Sequence, residues 1–166
     1  MKQNTAIITG ASDGIGAALT KLLIQHGWKV IAISRNLKKL EFLKNNLLQY
    51  KGALKIYACD VQDFSKLKLI GKNNVPADLL FLNAGIYTPI DASNNNIDDY
   101  RQHLFINYLG VLNSYEAFLP KMIAAKKGHI IIMSSISGWI GLPKAAAYGP
   151  TKAALRSFAQ SIRYDL

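Results

Sequence analysis

Short apolar runs of strand length alternate with stretches of helical periodicity from one end of this chain to the other. Thr5–Ile8 reads as a buried strand. Ile15, Ala18, Leu19, Leu22 and Leu23 then recur on one helical face, and Gly27 ends that helix. Lys29–Ser34 is a second strand, and Leu37, Leu40, Leu43 and Leu47 give the following helix its stripe. Ala53–Ala58 is a third strand, Phe64–Ile70 a short helix and Leu79–Leu82 a fourth strand. Tyr100 to Leu119 reads as one long helix with Leu104, Tyr108, Val111, Leu112, Tyr115 and Leu119 on its apolar side. His129–Met133 is a fifth strand and Tyr148–Leu166 a last helix. The alternation predicts an α/β fold with a parallel sheet and helices on both faces. Right-handed crossovers leave few topologies, and the doubly wound, Rossmann-type order 3-2-1-4-5 among them puts a ligand crevice at the C-terminal strand ends.

The 166 residues are expected to form one domain, 1–166, without an internal repeat or linker. Half of them are apolar, as a sheet buried on both faces requires. The single cysteine, Cys59, excludes an internal disulfide and reads as packing. No apolar run is long enough to span a bilayer, and the first residues pass directly into a strand, leaving no room for a signal peptide. A cytoplasmic protein with no membrane partner is the expectation. The net charge of +10 raises nucleic acid as a partner. The basic residues are scattered, however, in pairs such as Lys38 with Lys39, Lys66 with Lys68, and Lys126 with Lys127, with no basic stripe interleaved by aromatics. They read as solvated faces rather than a nucleic-acid surface. Their field would also draw in an anionic cofactor.

The candidate chemistry lies where strands end. Thr9-Gly-Ala-Ser-Asp-Gly-Ile-Gly16 links the first strand to the first helix. Glycine there lets backbone approach a pyrophosphate, and the helix N-terminus offers it N–H groups. Gly10, Ser12, Asp13, Gly14, Ile15 and Gly16 are therefore candidate cofactor-binding residues. Ser34 ends the second strand where an acidic residue would serve NAD, and Arg35 follows, a guanidinium able to pair with a 2′-phosphate. Asp60-Val61 and Asn83-Ala84-Gly85 follow the third and fourth strands. At the far end, Tyr148 and Lys152 are four apart and share a helix face. A tyrosine titrates near pH 10 in water, and an ammonium group one turn away favours a phenolate. Ser135 can donate to a substrate carbonyl oxygen. Asn107 is an amide inside an apolar helix, where it needs partners. The three histidines match no motif and read as surface or strand-end residues, and no metal-ligand spacing is present.

Together these motifs resemble the classical short-chain dehydrogenase/reductase family, whose fingerprints are TGxxxGxG, NAG, a helical Asn, Ser and YxxxK. The resemblance runs from Thr9 to Lys152. It implies an oxidoreductase that interconverts an alcohol and a carbonyl with Asn107, Ser135, Tyr148 and Lys152 as catalytic residues, Asn107 holding a water that relays protons to the lysine. Ser135 rather than Ser134 matches the family's spacing to Tyr148. The resemblance further implies that Asp60 bonds the adenine amino group, that Val61 lines the adenine pocket, and that Tyr148 and Lys152 also touch the cofactor. Arg35 marks NADP(H) preference, with NAD(H) possible; Asp13 stands where some NADP enzymes carry a second basic residue. It also implies a dimer or tetramer. Ile86, Tyr87, Pro89, Trp139, Ile140 and Leu142 would line the substrate pocket, with Lys144 the one cation near it, so a neutral, apolar carbonyl or alcohol is expected. The family continues past the YxxxK helix with a strand, a substrate-covering loop and helix, and a final strand. Against that pattern the chain is C-terminally incomplete, with the family's last strands missing, and His129–Met133 is left as an aliphatic sheet edge. The alternative to an enzyme is a truncated, catalytically weak or silent dinucleotide-binding module.

Overall fold

A computed structural model describes residues 3–50, 52–93 and 96–166. Five strands, β1 (Thr5–Thr9), β2 (Lys29–Ser34), β3 (Leu54–Ala58), β4 (Leu79–Leu82) and β5 (His129–Ile132), form one sheet in the order β3-β2-β1-β4-β5. Every pairing is parallel. The helices are α1 (Gly14–Gln25), α2 (Leu37–Asn45), α3 (Phe64–Lys72), α4 (Ile97–His103), α5 (Gly110–Ala125) and α6 (Tyr148–Ile162). The predicted order and alternation are those observed.

The sheet is buried on both faces because successive strand residues point opposite ways. Ile7, its register partners Ile31 and Leu80, and Leu82 pack with Leu67, Val111, Phe118, Met122 and Leu155 on the α3, α5 and α6 side. Ala6, Ile8, Val30, Ala32 and Phe81 pack with Ile24, Leu40, Leu43 and Leu47 on the α1 and α2 side. Residues one apart in sequence therefore serve two different cores. At about 25 cal/mol per Å² of apolar surface removed from water, each fully buried Ile or Leu contributes roughly 1.5–3 kcal/mol.

Several helices depart from their predicted faces or limits: in α2, Leu37 is 45% exposed and Leu47 lies past the helix end, and α3 runs on to Lys72. In α1 the inward residues are Gly16, Thr20 and Ile24, whereas Ile15 and Leu22 are 61% and 51% exposed. A Cβ on Gly16 would stand 2.3 Å from the Gly10 carbonyl oxygen, so this glycine must face the sheet, and it turns the helix away from its most apolar stripe. The long helix begins three residues earlier than predicted and runs through Pro120 to Ala125. Phe118 and Met122, on either side of the proline, are both buried against the sheet, and this packing outweighs the hydrogen bond that Pro120 cannot donate. Its course is broken at Leu104–Leu109 by a π-helical turn, so Leu104 points outward while His103, Ile106 and Asn107 all point inward. α6 ends at Ile162, short of the chain's last residues. β5 lies at the sheet edge, with Ile131 39% exposed. Among the described residues, no helix is long and apolar enough to cross a membrane.

Candidate active site

The loop from β1 to α1 is held against the end of β4 by side-chain bonds to backbone. Thr9 Oγ1 accepts from the N–H groups of Asn83 (3.1 Å) and Ala84 (3.2 Å), and the Asn83 amide donates to the carbonyls of Thr9 (3.2 Å) and Gly10 (3.3 Å). Gly10 sits at φ 66°, and a Cβ there would stand 2.9 Å from both Ala84 Cα and Asn83 Nδ2, so only glycine satisfies both the turn and the contact. Gly14 opens α1 with nothing within 4 Å of where a Cβ would stand, and Asp13 caps that helix through the Gly14 N–H.

These contacts leave a cleft of about 310 Å³ at the C-terminal strand ends. Of the predicted cofactor residues, Gly10, Ser12, Asp13, Ser34, Arg35, Asp60, Val61, Ala84 and Gly85 line it, joined by Asn36, Lys39, Cys59, Ile86 and Ile106. Gly14, Ile15, Gly16 and Asn83, and the predicted Tyr148 and Lys152, are not among its lining residues. Ser12 and Ser34 bring their hydroxyls within 2.7 Å of each other. Arg35 is exposed and, among the described residues, forms no ion pair. Asp60 accepts the Gln62 N–H at 2.9 Å, closing a turn ahead of α3. Val61 is buried at the wall, and Gly110 is close enough that a Cβ on it would reach Val61 Cγ2 at 2.5 Å. Cys59 is buried with its thiol pushed up to about 11, chiefly by desolvation and secondarily by Asp63, and its Sγ donates to the Asp60 carbonyl. A protonated, buried thiol is an inert one.

At the other end, β5, the loop after β4 and the start of α6 converge. Lys152 is only 3% exposed; its Nζ donates to the Met133 carbonyl at 2.8 Å and lies 5.5 Å from the centre of the Tyr148 ring. Burial lowers this ammonium to about 8. Ser134 Oγ donates to the Lys152 carbonyl at 3.0 Å, so the end of β5 grips the lysine at its side chain and its backbone. Ser135 stands at the N-terminus of a 3₁₀ turn (Ile136–Gly138), its Oγ accepting from the Ser137 N–H at 3.2 Å and keeping its own proton to donate. Gly138 permits the close pass of that turn, since a Cβ there would meet Lys152 backbone at 2.8 Å. The Tyr148 ring stands edge-on to Tyr87 with centroids 5.0 Å apart, and among the described residues its hydroxyl makes no hydrogen bond.

Asn107 is fully buried and explains the π turn. Its Oδ1 accepts from the Ile86 N–H at 2.7 Å, and its Nδ2 donates to the Ile86 carbonyl at 2.9 Å and toward Thr151 Oγ1 at 3.4 Å. Thr151 Oγ1 in turn donates to the Tyr148 carbonyl at 2.7 Å. One polar chain thus runs from the loop after β4 through α5's entry to the first turn of α6. Gly85 lies between them: a Cβ on it would meet Asn107 Oδ1 at 3.1 Å and Lys152 Nζ at 3.6 Å.

Several residues of this architecture escaped the sequence reading. His103 is not at the surface but fully buried; its Nε2 accepts from the Thr88 N–H at 3.1 Å while Nδ1 donates to the Asp99 carbonyl at 2.7 Å, which sets its tautomer. His26 and His129 are exposed, as expected. Thr151 and Lys39 carry no signal beyond residue type, because their partners Asn107 and Asp13 lie 44 and 26 positions away. The expected substrate residues divide. Ile86 faces the 310 Å³ cleft. Trp139, Ile140, Leu142 and Lys144 line a separate hollow of about 620 Å³ with Ile90. Arg156, unforeseen, lays its guanidinium 4.1 Å from the centre of the Trp139 ring.

A family model described as short chain dehydrogenase matches residues 4–166. An uncharacterized oxidoreductase of Listeria monocytogenes is 38% identical over 99% of this chain, which spans 68% of that relative. Two solved structures superpose over 98% of the chain. One is the closed form of a serine dehydrogenase complexed with NADP+, at 30% identity and TM-score 0.91, of which the chain spans 66%. The other is an NAD+-bound xylitol dehydrogenase, at 26% identity and TM-score 0.93, of which it spans 64%. The chain therefore covers about two thirds of these relatives' length.

Proposed function

The chain belongs to the short-chain dehydrogenase family, and from that premise we propose that it carries the cofactor cleft and acid–base centre of an NADP(H)-dependent oxidoreductase interconverting an alcohol and a carbonyl. The observation that carries this reading is the buried Lys152 ammonium, fixed by the Met133 carbonyl between Tyr148 and Gly85, a lining residue of the cleft. A buried cation beside a phenol with an unengaged hydroxyl is a costly arrangement for a core and a useful one for proton transfer.

The residues present suit a nicotinamide dinucleotide. Gly10, Gly14 and Gly16 bring the β1–α1 backbone to the cleft wall with no side chain over it, and the α1 N-terminus supplies N–H groups for a pyrophosphate. Ser34 at the end of β2 and Arg35, exposed and in no ion pair among the described residues, support a preference for a 2′-phosphate over a bare ribose, with NAD(H) the other cofactor the fold accepts. Asp60 and Val61 would hold the adenine, Asn83 and Ala84 keep the passage open, and Ser12, Asp13 and Ile15 shape its entrance. When bound, the nicotinamide supplies the hydride exchange with the substrate carbon. Tyr148 Oη gives or takes the proton, Ser135 Oγ donates to the substrate oxygen, and the Lys152 ammonium can reach the nicotinamide-side ribose. Asn107 holds the loop after β4 through Ile86 and reaches Thr151, and the family resemblance adds a water held by Asn107 that relays protons to Lys152. The apolar 620 Å³ hollow supports a neutral carbonyl or alcohol as substrate. The family resemblance adds a dimer or tetramer, which sedimentation reads directly.

NADPH oxidation against a panel of neutral ketones and aldehydes tests the reading. Tyr148→Phe should lower turnover by about 10²–10⁴-fold, the usual worth of a positioned acid–base group, and leave cofactor affinity near the parent's. Cofactor binding by a folded chain with no turnover would make it a dinucleotide-binding module instead.

A further inference from the structure

His103 is a buried titratable side chain that the proposed chemistry leaves unused. It ends α4 and is fully buried. Both ring nitrogens are bonded to main chain: Nδ1 donates to the Asp99 carbonyl at 2.7 Å, and Nε2 accepts from the Thr88 N–H at 3.1 Å. A carbonyl only accepts and an N–H only donates, so these contacts fit one tautomer, with the proton on Nδ1 and the lone pair on Nε2. The segment held in this way is the loop after β4. Asn107, four residues on and also facing inward, takes the Ile86 N–H at 2.7 Å and the Ile86 carbonyl at 2.9 Å. His103 takes Thr88, and the Ile90 N–H donates to the Lys144 carbonyl at 3.0 Å, on the chain leading into α6. Ile86, Thr88 and Ile90 are thus anchored in turn, and Tyr87 stands between the first two anchors. Its ring meets the Tyr148 ring edge-on, with centroids 5.0 Å apart and planes at 61°. Tyr87 is 52% exposed, so packing against its own side chain does little to place it, and the anchors on either side do more.

We propose that His103 is a positioning residue for the acid–base centre: its Nε2 lone pair fixes Thr88, and Thr88 together with Ile86 holds the Tyr87 ring against which Tyr148 is aimed. The inference rests on Tyr148 being the acid–base group, as proposed above. Reach explains why a histidine serves here. The lone pair that meets Thr88 lies at the end of the side chain, in the ε position, while the δ position is taken up with the Asp99 carbonyl. Glutamine can place an accepting oxygen at the ε position, and asparagine ends one bond short of it. Leucine fills the volume but leaves the Thr88 N–H without its acceptor. The loop then keeps its anchors at Ile86 and Ile90 and loses the one beside Tyr87, so the fold survives and the angle between the two tyrosines does not. His103 lines neither the 310 Å³ cleft nor the 620 Å³ hollow, so its effect falls on turnover rather than on binding.

Steady-state kinetics with NADPH and a neutral ketone, beside a direct titration of NADPH, separate positioning from packing. His103→Leu should lower kcat about tenfold to a hundredfold, the cost of misplacing a reacting group by roughly an ångström. Its NADPH affinity should stay within about twofold of the parent's. His103→Gln should recover most of the lost kcat, and His103→Asn should not. In a Tyr87→Ala background, His103→Leu should cost less than about twofold more, because the ring through which it acts is gone. Equal kcat in the Gln and Asn variants, or a His103→Leu loss as large without Tyr87 as with it, overturns the inference and leaves His103 a structural residue. Should His103→Leu fail to fold, NMR of the parent decides. The imidazole nitrogen shifts should place the proton on Nδ1, and a cross-relaxation peak should link the Tyr87 and Tyr148 rings; the opposite tautomer, or rings without that link, overturns the inference. A Tyr148→Phe protein as active as the parent overturns the acid–base reading and this inference with it, and that result appears without any change at His103.

Discussion

The two ends of the proposed site are built by opposite means. At the ribose-phosphate end, Arg35, Lys39 and Asp13 stand in solvent, and the one ion pair among them is exposed. At the catalytic end, Lys152, Asn107 and Thr151 are buried and bonded to main chain on β5, α6 and the loop after β4. Exposed charges in a high dielectric are weakly coupled to the fold, so that end can change ligand preference at little structural cost. Buried polar groups are coupled to everything that satisfies them, so the catalytic end holds geometry and answers for stability as well as function. The same molecule therefore keeps the proposed specificity where substitutions are tolerated and the proposed chemistry where they are not.

The contrast is sharpest at Lys152. Its ammonium titrates at about 8 in the fold against an ordinary value of 10.5, so the unfolded chain binds the proton more tightly. The cost of holding the charge is therefore present in full below pH 8 and fades as the pH rises from 8 toward 10.5. Lys152→Met should abolish turnover and weaken cofactor binding, yet stabilise the fold at neutral pH by about 1–3 kcal/mol. Chemical denaturation at several pH values should show the gap between the two proteins narrowing through that window. A parent whose stability is flat there would mean that the fold does not penalise the charge.

Asn107 tests the same end from the other side. Asn107→Leu leaves the Ile86 N–H and carbonyl without their partner and cuts the chain to Thr151, at a cost of about 1–3 kcal/mol. Because Ile86 carries Gly85 and Tyr87 with it, turnover should fall by more than stability accounts for. A variant that loses stability but keeps the parent's kcat would show that the loop is held by other contacts, His103 to Thr88 first among them.

Arg35 should give the smallest effect on the fold and a clear one on binding. Arg35→Asp should change stability by less than about 0.5 kcal/mol, as substitutions at exposed, unpaired positions do. NADPH affinity should fall roughly tenfold to a hundredfold, with NADH little changed or improved. Equal loss of both cofactors would make Arg35 structural and erase the division between the two ends.

Much of this was legible in the chain. Strands, crossovers and sheet order follow from patterns that repeat within ten residues, and hydrophobic burial acts on every residue of such a pattern alike. Gly10, Gly16, Tyr148 and Lys152 were equally open to reading, because a strand–glycine–helix turn and an i, i+4 pair are local geometries. Local pattern alone could not orient α1. Five apolar residues argued for one face, and a single close approach between Gly16 and Gly10, decided by the sheet, turned another inward. It could not foresee the π turn either, since an extra residue in a helix is favoured only when inward groups such as His103 and Asn107 find partners 15 and 21 residues away. Nor could it tell Lys39 from its neighbour Lys38: one residue of helical rotation puts the first over the cleft beside Asp13, 26 positions earlier in the chain. Sequence alone thus determined the elements, their order and the candidate groups for the proposed chemistry, because those depend on residue type and short spacing. Tertiary structure alone decided which face, which partner and which lysine, because a hydrogen bond or an ion pair exists only where the fold brings its two halves within about 3 Å.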